Sequence, residues 1–189
     1  MIQKNQTLVI PGFTCWLTGL SGAGKSTIAT ELSNKLNILS VPCEVLDGDI
    51  IRKNLSTDLG FSRQDRETNV LRVGYICSLL NKHGINTIVA LISPFNATRN
   101  KLRQSLEKFI EIYVDCPLEE CKKRDTKGLY QRALSGEILE FTGISSPYEA
   151  PFSPEITVKT NEEDINQSVE KVLQYLLSLQ LIHINEKIN

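Results

Sequence analysis

Eight consecutive residues, Gly19-Leu20-Ser21-Gly22-Ala23-Gly24-Lys25-Ser26, have the types and spacing needed to hold a chain of phosphates. They fit the pattern GxxxxGK[ST]. The glycines let backbone N–H groups converge on an anion, and Lys25 brings a cation to the β- and γ-phosphates. The Ser26 hydroxyl is placed to ligate Mg²⁺. A helix beginning at Lys25 would add the positive end of its dipole to the same site. This motif identifies nucleotide binding and leaves open what the nucleotide is used for.

A metal-bound triphosphate also needs a carboxylate. In many P-loop NTPases an Asp ends a further strand and holds the metal, but here the apolar run Asn86 to Ile92 ends in Ser93-Pro94. The remaining candidates are Asp47 and Asp49, separated by Gly48. That spacing lets the chain turn and aim both acids at the phosphates. One can ligate metal while the other accepts a proton from an attacking hydroxyl. The same residues also suit a plain Asp-Gly turn or a helix N-cap. Downstream, Phe61 is followed by Arg63 and Arg66, with Arg52 a little upstream. An aromatic ring can stack on a base and paired guanidinium groups can grip an anion. An exposed, salt-bridged helix anchored by Phe61 explains these residues equally well.

The elements that must position these groups follow from periodicity. Thr14 to Thr18 reads as a buried strand entering the Gly-rich loop. Ile28, Ala29, Leu32, Leu36 and Leu39 then mark a helix from Lys25 to about Leu39. Further strands are expected at Val41–Leu46, Asn86–Ile92, Phe109–Asp115 and Glu155–Val158, and a helix at about Gln64–Lys82. A last helix opens at Thr160-Asn161-Glu162-Glu163, a capping-box pattern, with Ile165, Val169, Val172, Leu173, Leu176 and Leu179 as its packing stripe. Strands alternating with helices predict an α/β P-loop NTPase fold of three layers: a mostly parallel five-stranded sheet with helices on both faces. Ligands of such sheets bind beyond the carboxyl ends of the strands, where the Gly-rich loop, Asp47–Asp49 and Ser93 all fall. Between Asp125 and Pro154 the pattern weakens into glycines, prolines and charges, as in a mobile cover over a site.

The 189 residues suit a single domain, 1–189, with 125–154 as its lid. A net charge of −1 excludes a general basic field for nucleic acid. No apolar run approaches a membrane span, and Met1 to Gln6 lacks the apolar core of a signal peptide. Five cysteines, with no CxxC pair among them, read as reduced core thiols of a cytoplasmic protein.

Taken together, the motifs resemble the adenylylsulfate kinase (APS kinase) family from about Cys15 to Thr160. The residues that carry the resemblance are Trp16 to Thr27, Leu46-Asp47-Gly48-Asp49 with Arg52, Gly60-Phe61-Ser62, Asp65-Arg66, Asn69 and Arg72. Further along come Ile92-Ser93-Pro94 with Arg99, Lys127-Gly128-Leu129-Tyr130, Phe141-Thr142-Gly143-Ile144 and Pro147-Tyr148-Glu149-Ala150-Pro151. The resemblance implies a kinase that phosphorylates the 3′-hydroxyl of adenosine 5′-phosphosulfate with ATP and Mg²⁺. ATP would lie on Gly19, Leu20, Ser21, Gly22, Ala23, Gly24, Lys25, Ser26 and Thr27, with Arg124 nearby. Lys25, Asp47 and Ser93 would be catalytic, and Ser26 and Asp47 would hold the metal. Phe61 and Phe141 would sandwich the acceptor's adenine, while Arg52, Arg66 and Asn69 hold its phosphosulfate and ribose. Asp49, Ile92, Ser93, Lys127, Gly128 and Leu129 complete that acceptor site.

The family traditionally treats the Ser93 position as a phosphoserine. Direct transfer between bound substrates needs no such intermediate, so a hydrogen bond to the acceptor, or strand termination, is a sufficient role. A homodimer is also implied. The chain departs from the family at Phe95, Asn96, Thr126, Gln131, Leu139 and Glu140, where Tyr, Arg, Pro, basic residues and Asn or Gly are frequent. The alternatives are another small-metabolite kinase (nucleoside monophosphate, gluconate or shikimate) or a nucleotide-binding regulator without turnover.

Overall fold

A computed structural model describes residues 9–183; the expectation for Met1 to Gln6 lies outside them. Five strands, β1 (Thr14–Thr18), β2 (Cys43–Asp47), β3 (Asn86–Ala90), β4 (Phe109–Asp115) and β5 (Ile156–Lys159), form one sheet in the order β2-β3-β1-β4-β5. All four pairings are parallel. The helices are α1 (Lys25–Ile38), α2 (Gly48–Asn54), α3 (Arg63–Lys82), α4 (Asn96–Ser105), α5 (Leu118–Arg124), α6 (Leu129–Leu134) and α7 (Ile165–Ser178).

The two faces of the sheet explain why β1 and β3 are apolar throughout. Cys15 and Leu17 of β1 and Ile88 and Ala90 of β3 join a core with Ile28, Leu32 and Leu36 of α1 and Val169, Val172 and Leu176 of α7. Trp16 and Val89, one residue out of step, join Val70, Val73 and Cys77 of α3 and Leu102 of α4 on the other face. Alternation along each strand therefore feeds two separate cores, making three layers. Among the described residues no helix is long and apolar enough to cross a membrane. The cysteines are free, and burial pushes the thiols of Cys15, Cys77 and Cys121 upward, which keeps them neutral and unreactive.

Boundaries shift by a residue or two. β2 starts at Cys43, β3 ends at Ala90, and β5 runs Ile156–Lys159 rather than Glu155–Val158. The expected capping box at Thr160 is not the one used. Asp164 caps α7, accepting from the Gln167 N–H while the Gln167 side chain accepts from the Asp164 N–H. Thr160 instead donates its hydroxyl to the Ala23 carbonyl, and Glu163 accepts from the Lys159 N–H. Within the stripe expected on this helix, Val169, Val172, Leu173 and Leu176 are buried, while Ile165 and Leu179 are exposed. The short helices α2, α4, α5 and α6 were not expected from periodicity. The weakly patterned segment 125–154 contains α6.

Candidate active site

The carboxyl ends of β1, β2 and β3 bring the phosphate loop, Asp47 and Ser93 to one edge of the sheet. The loop turns sharply at three glycines with positive φ: Gly19 (155°), Gly22 (73°) and Gly24 (102°). At Gly19 a Cβ would lie 2.5 Å from the Val114 carbonyl oxygen, so the loop can pass β4 only without a side chain.

Four loop carbonyls are occupied by protein donors. Lys25 Nζ donates to Gly19 O (3.0 Å) and Leu20 O (2.6 Å), Tyr130 Oη to Ser21 O (2.9 Å), and Thr160 Oγ1 to Ala23 O (2.9 Å). Burial lowers Lys25 to about 8, partly offset by neighbouring negative groups such as Asp47.

Asp47 does two jobs at once. Its Oδ1 accepts from the Asp49 N–H (2.9 Å) and so caps α2, while its Oδ2 accepts from Ser26 Oγ (2.5 Å). The cap fixes the carboxylate beside the hydroxyl. A hydroxyl and a carboxylate oxygen side by side are hard donors of the kind Mg²⁺ takes. Among the described residues no group of three or more His, Cys, Asp or Glu could cage a metal, and such a Mg²⁺ site requires none.

The Asp49 carboxylate pairs with Lys127, which joins the start of α2 to the 125–154 segment. Gly128 (φ 65°) and Leu129 then begin α6. Arg124, at the end of α5, donates to the Thr160 hydroxyl (3.1 Å) and carbonyl (2.7 Å). Thr160 therefore connects it to the phosphate loop.

Ser93 is 2% exposed and has a φ of 46°. Its Oγ accepts from the buried indole of Trp16 (2.9 Å), and its carbonyl accepts from Arg99 Nη1 (2.5 Å). Ile92 O accepts from Thr18 Oγ1 (2.7 Å). A hydroxyl packed on an indole at the end of a strand is held as a fixed polar group.

The aromatic and basic residues converge on Arg66. Phe61 is 56% exposed, with the Arg52 guanidinium 4.6 Å and that of Arg66 5.5 Å from its ring centre. Arg52 Nη1 donates to Leu59 O and Gly60 O, which holds the Phe61 loop against α2. Phe141 is 9% exposed and meets the Tyr130 ring edge to face at 5.0 Å. The two phenylalanines are thus unequal, one free at the surface and one fixed in the core. Asn69 is buried on α3, and its amide oxygen has no hydrogen-bond partner among the described residues. A buried polar atom left unpaired within the fold suits a group kept for a ligand.

The sequence pattern that defines the family described as Adenylylsulphate kinase matches residues 11–159. A relative from Gloeothece citriformis named "Adenylyl-sulfate kinase" is 50% identical over 165 residues, covering 87% of this chain and 94% of the relative. The chain belongs to the adenylylsulphate kinase family. A second member, from a Synechococcus species, is 50% identical over 167 residues, 88% of this kinase and 95% of its own length. Among solved structures, the Mycobacterium tuberculosis APS kinase CysC in complex with AMPPNP and APS has a TM-score of 0.85 at 39% identity. It covers 88% of this chain and 98% of that one. A gluconokinase from Sinorhizobium meliloti, at 16% identity and a TM-score of 0.54, shares the fold alone.

This kinase also uses residues to which the sequence reading gave no role. Arg99, buried on α4, pairs with Glu111 of β4 (2.6 Å) and donates to Ser93 O and Glu149 O. Glu149 Oε2 accepts from the Asn96 N–H (2.7 Å). The Pro147–Pro151 stretch is thereby fixed to the end of β3. In sequence Arg99 stands among polar residues and looks like solvated surface. Only its place in a motif shared with the family singled it out. Tyr130 and Thr160 carried no signal for their loop contacts, because their partners lie 109 and 137 residues away.

Proposed function

We propose that this kinase transfers the γ-phosphoryl group of ATP to the 3′-hydroxyl of adenosine 5′-phosphosulfate, yielding ADP and 3′-phosphoadenylylsulfate. The observation that carries the reading is half identity, over nearly their whole length, with relatives named for that activity. The whole chain acts as one domain with 125–154 as its lid.

Lys25 and the N–H groups of Gly19 to Thr27 neutralise charge gathering on the transferred group, with Arg124 beside the donor nucleotide. Ser26 and Asp47 would hold Mg²⁺, which when bound would supply positive charge to the phosphate chain. Asp47 is also positioned to take the proton of the 3′-hydroxyl. Phe61 and Phe141 bracket the acceptor's adenine. Arg52, Arg66 and Asn69 address its phosphosulfate and ribose, and Asp49, Ile92, Lys127, Gly128 and Leu129 line the approach. The Ser93 hydroxyl, already accepting from Trp16, retains a proton to donate to the acceptor, so transfer is direct.

The enzyme works in the cytoplasm, consistent with its free thiols, and as a homodimer, a state that light scattering of the purified protein tests. Purified protein with MgATP and a panel of acceptors, followed by mass, tests the activity. The expected product is 3′-phosphoadenylylsulfate. Its absence, with turnover on a sugar acid or a nucleoside monophosphate instead, overturns the reading. Substantial activity in Ser93→Ala rules out a phosphoserine intermediate.

A further inference from the structure

One guanidinium joins the two aromatic segments of the site. Arg66 Nε donates to Phe61 O (2.7 Å), Nη1 to Thr142 Oγ1 (2.9 Å), and Nη2 to Glu140 O. Its last two acceptors flank Phe141 on either side, 74 and 76 residues along the chain from Arg66. The turn that carries Phe141 is closed on itself. The Phe141 N–H donates to Ser145 Oγ, the Phe141 carbonyl accepts from the N–H groups of residues 144–146, and the Gly143 N–H donates to Ser146 O. A turn closed in this way moves as one piece, so what holds it to α3 decides where Phe141 lies relative to Phe61.

Thr142 is the side-chain partner in that attachment. It is 1% exposed, and its hydroxyl accepts a charge-assisted hydrogen bond, stronger than one between neutral groups. An arginine carries five N–H donors. Three serve this frame, and two on the Nη atoms remain for an anionic ligand. Arg66 can therefore keep the frame and bind the acceptor at the same time.

We propose that Thr142 is a positioning residue for the acceptor site. By accepting from Arg66 it sets the spacing between the fixed Phe141 and the free Phe61, without itself touching substrate. This rests on the reading of the two phenylalanines as the adenine bracket. The role belongs to Thr142 because loss of Arg66 would confound frame and ligand contact, whereas loss of the Thr142 hydroxyl disturbs the frame alone.

The test compares Thr142→Val, which keeps the shape and removes the acceptor oxygen, with Thr142→Ser, which restores it. Losing one charge-assisted hydrogen bond should raise the KM for adenosine 5′-phosphosulfate by about tenfold. The KM for ATP should stay within about twofold, since no P-loop contact changes. Thr142→Ser should return the acceptor KM to that of the wild type. In the substrate-free protein, amides 140–146 should exchange with deuterium faster in Thr142→Val. Combined with Arg66→Lys, the effect should fall short of the product of the single changes. Wild-type acceptor KM together with wild-type exchange in Thr142→Val overturns the proposal. If Thr142→Val does not fold at the assay temperature, Thr142→Cys, a poorer acceptor of similar size, takes its place with the same outcomes. If the wild type makes no 3′-phosphorylated product, the functional reading fails instead, and exchange alone then decides whether Thr142 holds the turn.

Discussion

Lys25 is a buried cation at the phosphate loop, a cost to the fold that a bound phosphate would offset. Burial holds its amine near 8 in the substrate-free protein, so the cationic form is lost as pH rises through that value. We expect kcat/KM for ATP to decline above about pH 8, while kcat at saturating ATP holds to higher pH, because bound phosphates favour the charged amine. Paired pH–rate profiles check this. The folded-state value lies below the unfolded one, so the buried charge costs stability below about 8, and the cost is relieved as pH rises toward the unfolded value. For Asp47, Asp47→Asn retains an oxygen to cap α2 and should cost less than about 0.5 kcal/mol, while Asp47→Ala loses the cap and about 1 kcal/mol. Both should lower kcat by about a hundredfold or more. Denaturant melts beside steady-state rates separate the two effects. The place of Asp47 beside the phosphate loop was legible because β3 is not followed by an Asp and an Asp-Gly-Asp turn remained. Its double attachment, to Ser26 and to the α2 cap, depends on β2 and β3 lying side by side, which no local spacing encodes.

At the scale of elements, the sequence shows best where apolar periodicity is strong. β1, β4 and the faces of α1 and α3 were readable for that reason. The start of α7 was not, because two cap-like patterns stand side by side, Thr160-x-x-Glu163 and Asp164-x-x-Gln167. Tertiary structure decided between them by engaging Thr160 at the phosphate loop. The interior of α4 was hidden because its largest buried side chain is an arginine. For α6, the two carboxylate oxygens of Asp125 accept from the N–H groups of Tyr130 and Gln131. Burial pushes this carboxyl up, but the α6 N–H groups outweigh it and hold it below the usual range. Asp125→Ala should fray α6, release the Tyr130 hydroxyl from Ser21, and raise the KM for ATP more than that for the acceptor. Steady-state kinetics and hydrogen exchange over 128–136 check this.

Across the whole molecule, a charge network links the sheet to the chain that returns into β5. Arg99 and Glu111 pair inside the fold, Arg103 bridges Glu111 to Glu155, and the Glu111 N–H donates to Glu155. Arg99→Met leaves Glu111 without its closest partner and should cost about 3–5 kcal/mol. Arg99→Met combined with Glu111→Leu should recover much of that in denaturant melts. The acceptor KM should remain raised in the double variant, because Ser93 O and Glu149 O are still released. The four occupied carbonyls of the phosphate loop have a wider consequence. Tyr130 and Thr160 draw the Ser21 and Ala23 carbonyls toward the protein, so that part of the loop is set before phosphate arrives, whereas Lys25 has to give up the Gly19 and Leu20 carbonyls to reach a phosphate. For those two carbonyls the cost was met when the chain folded, at a distance, by a tyrosine of α6 and a threonine beyond β5. The loop therefore works as a fixed electrode of one sign, and the strength of ATP binding is set partly by residues that never meet ATP.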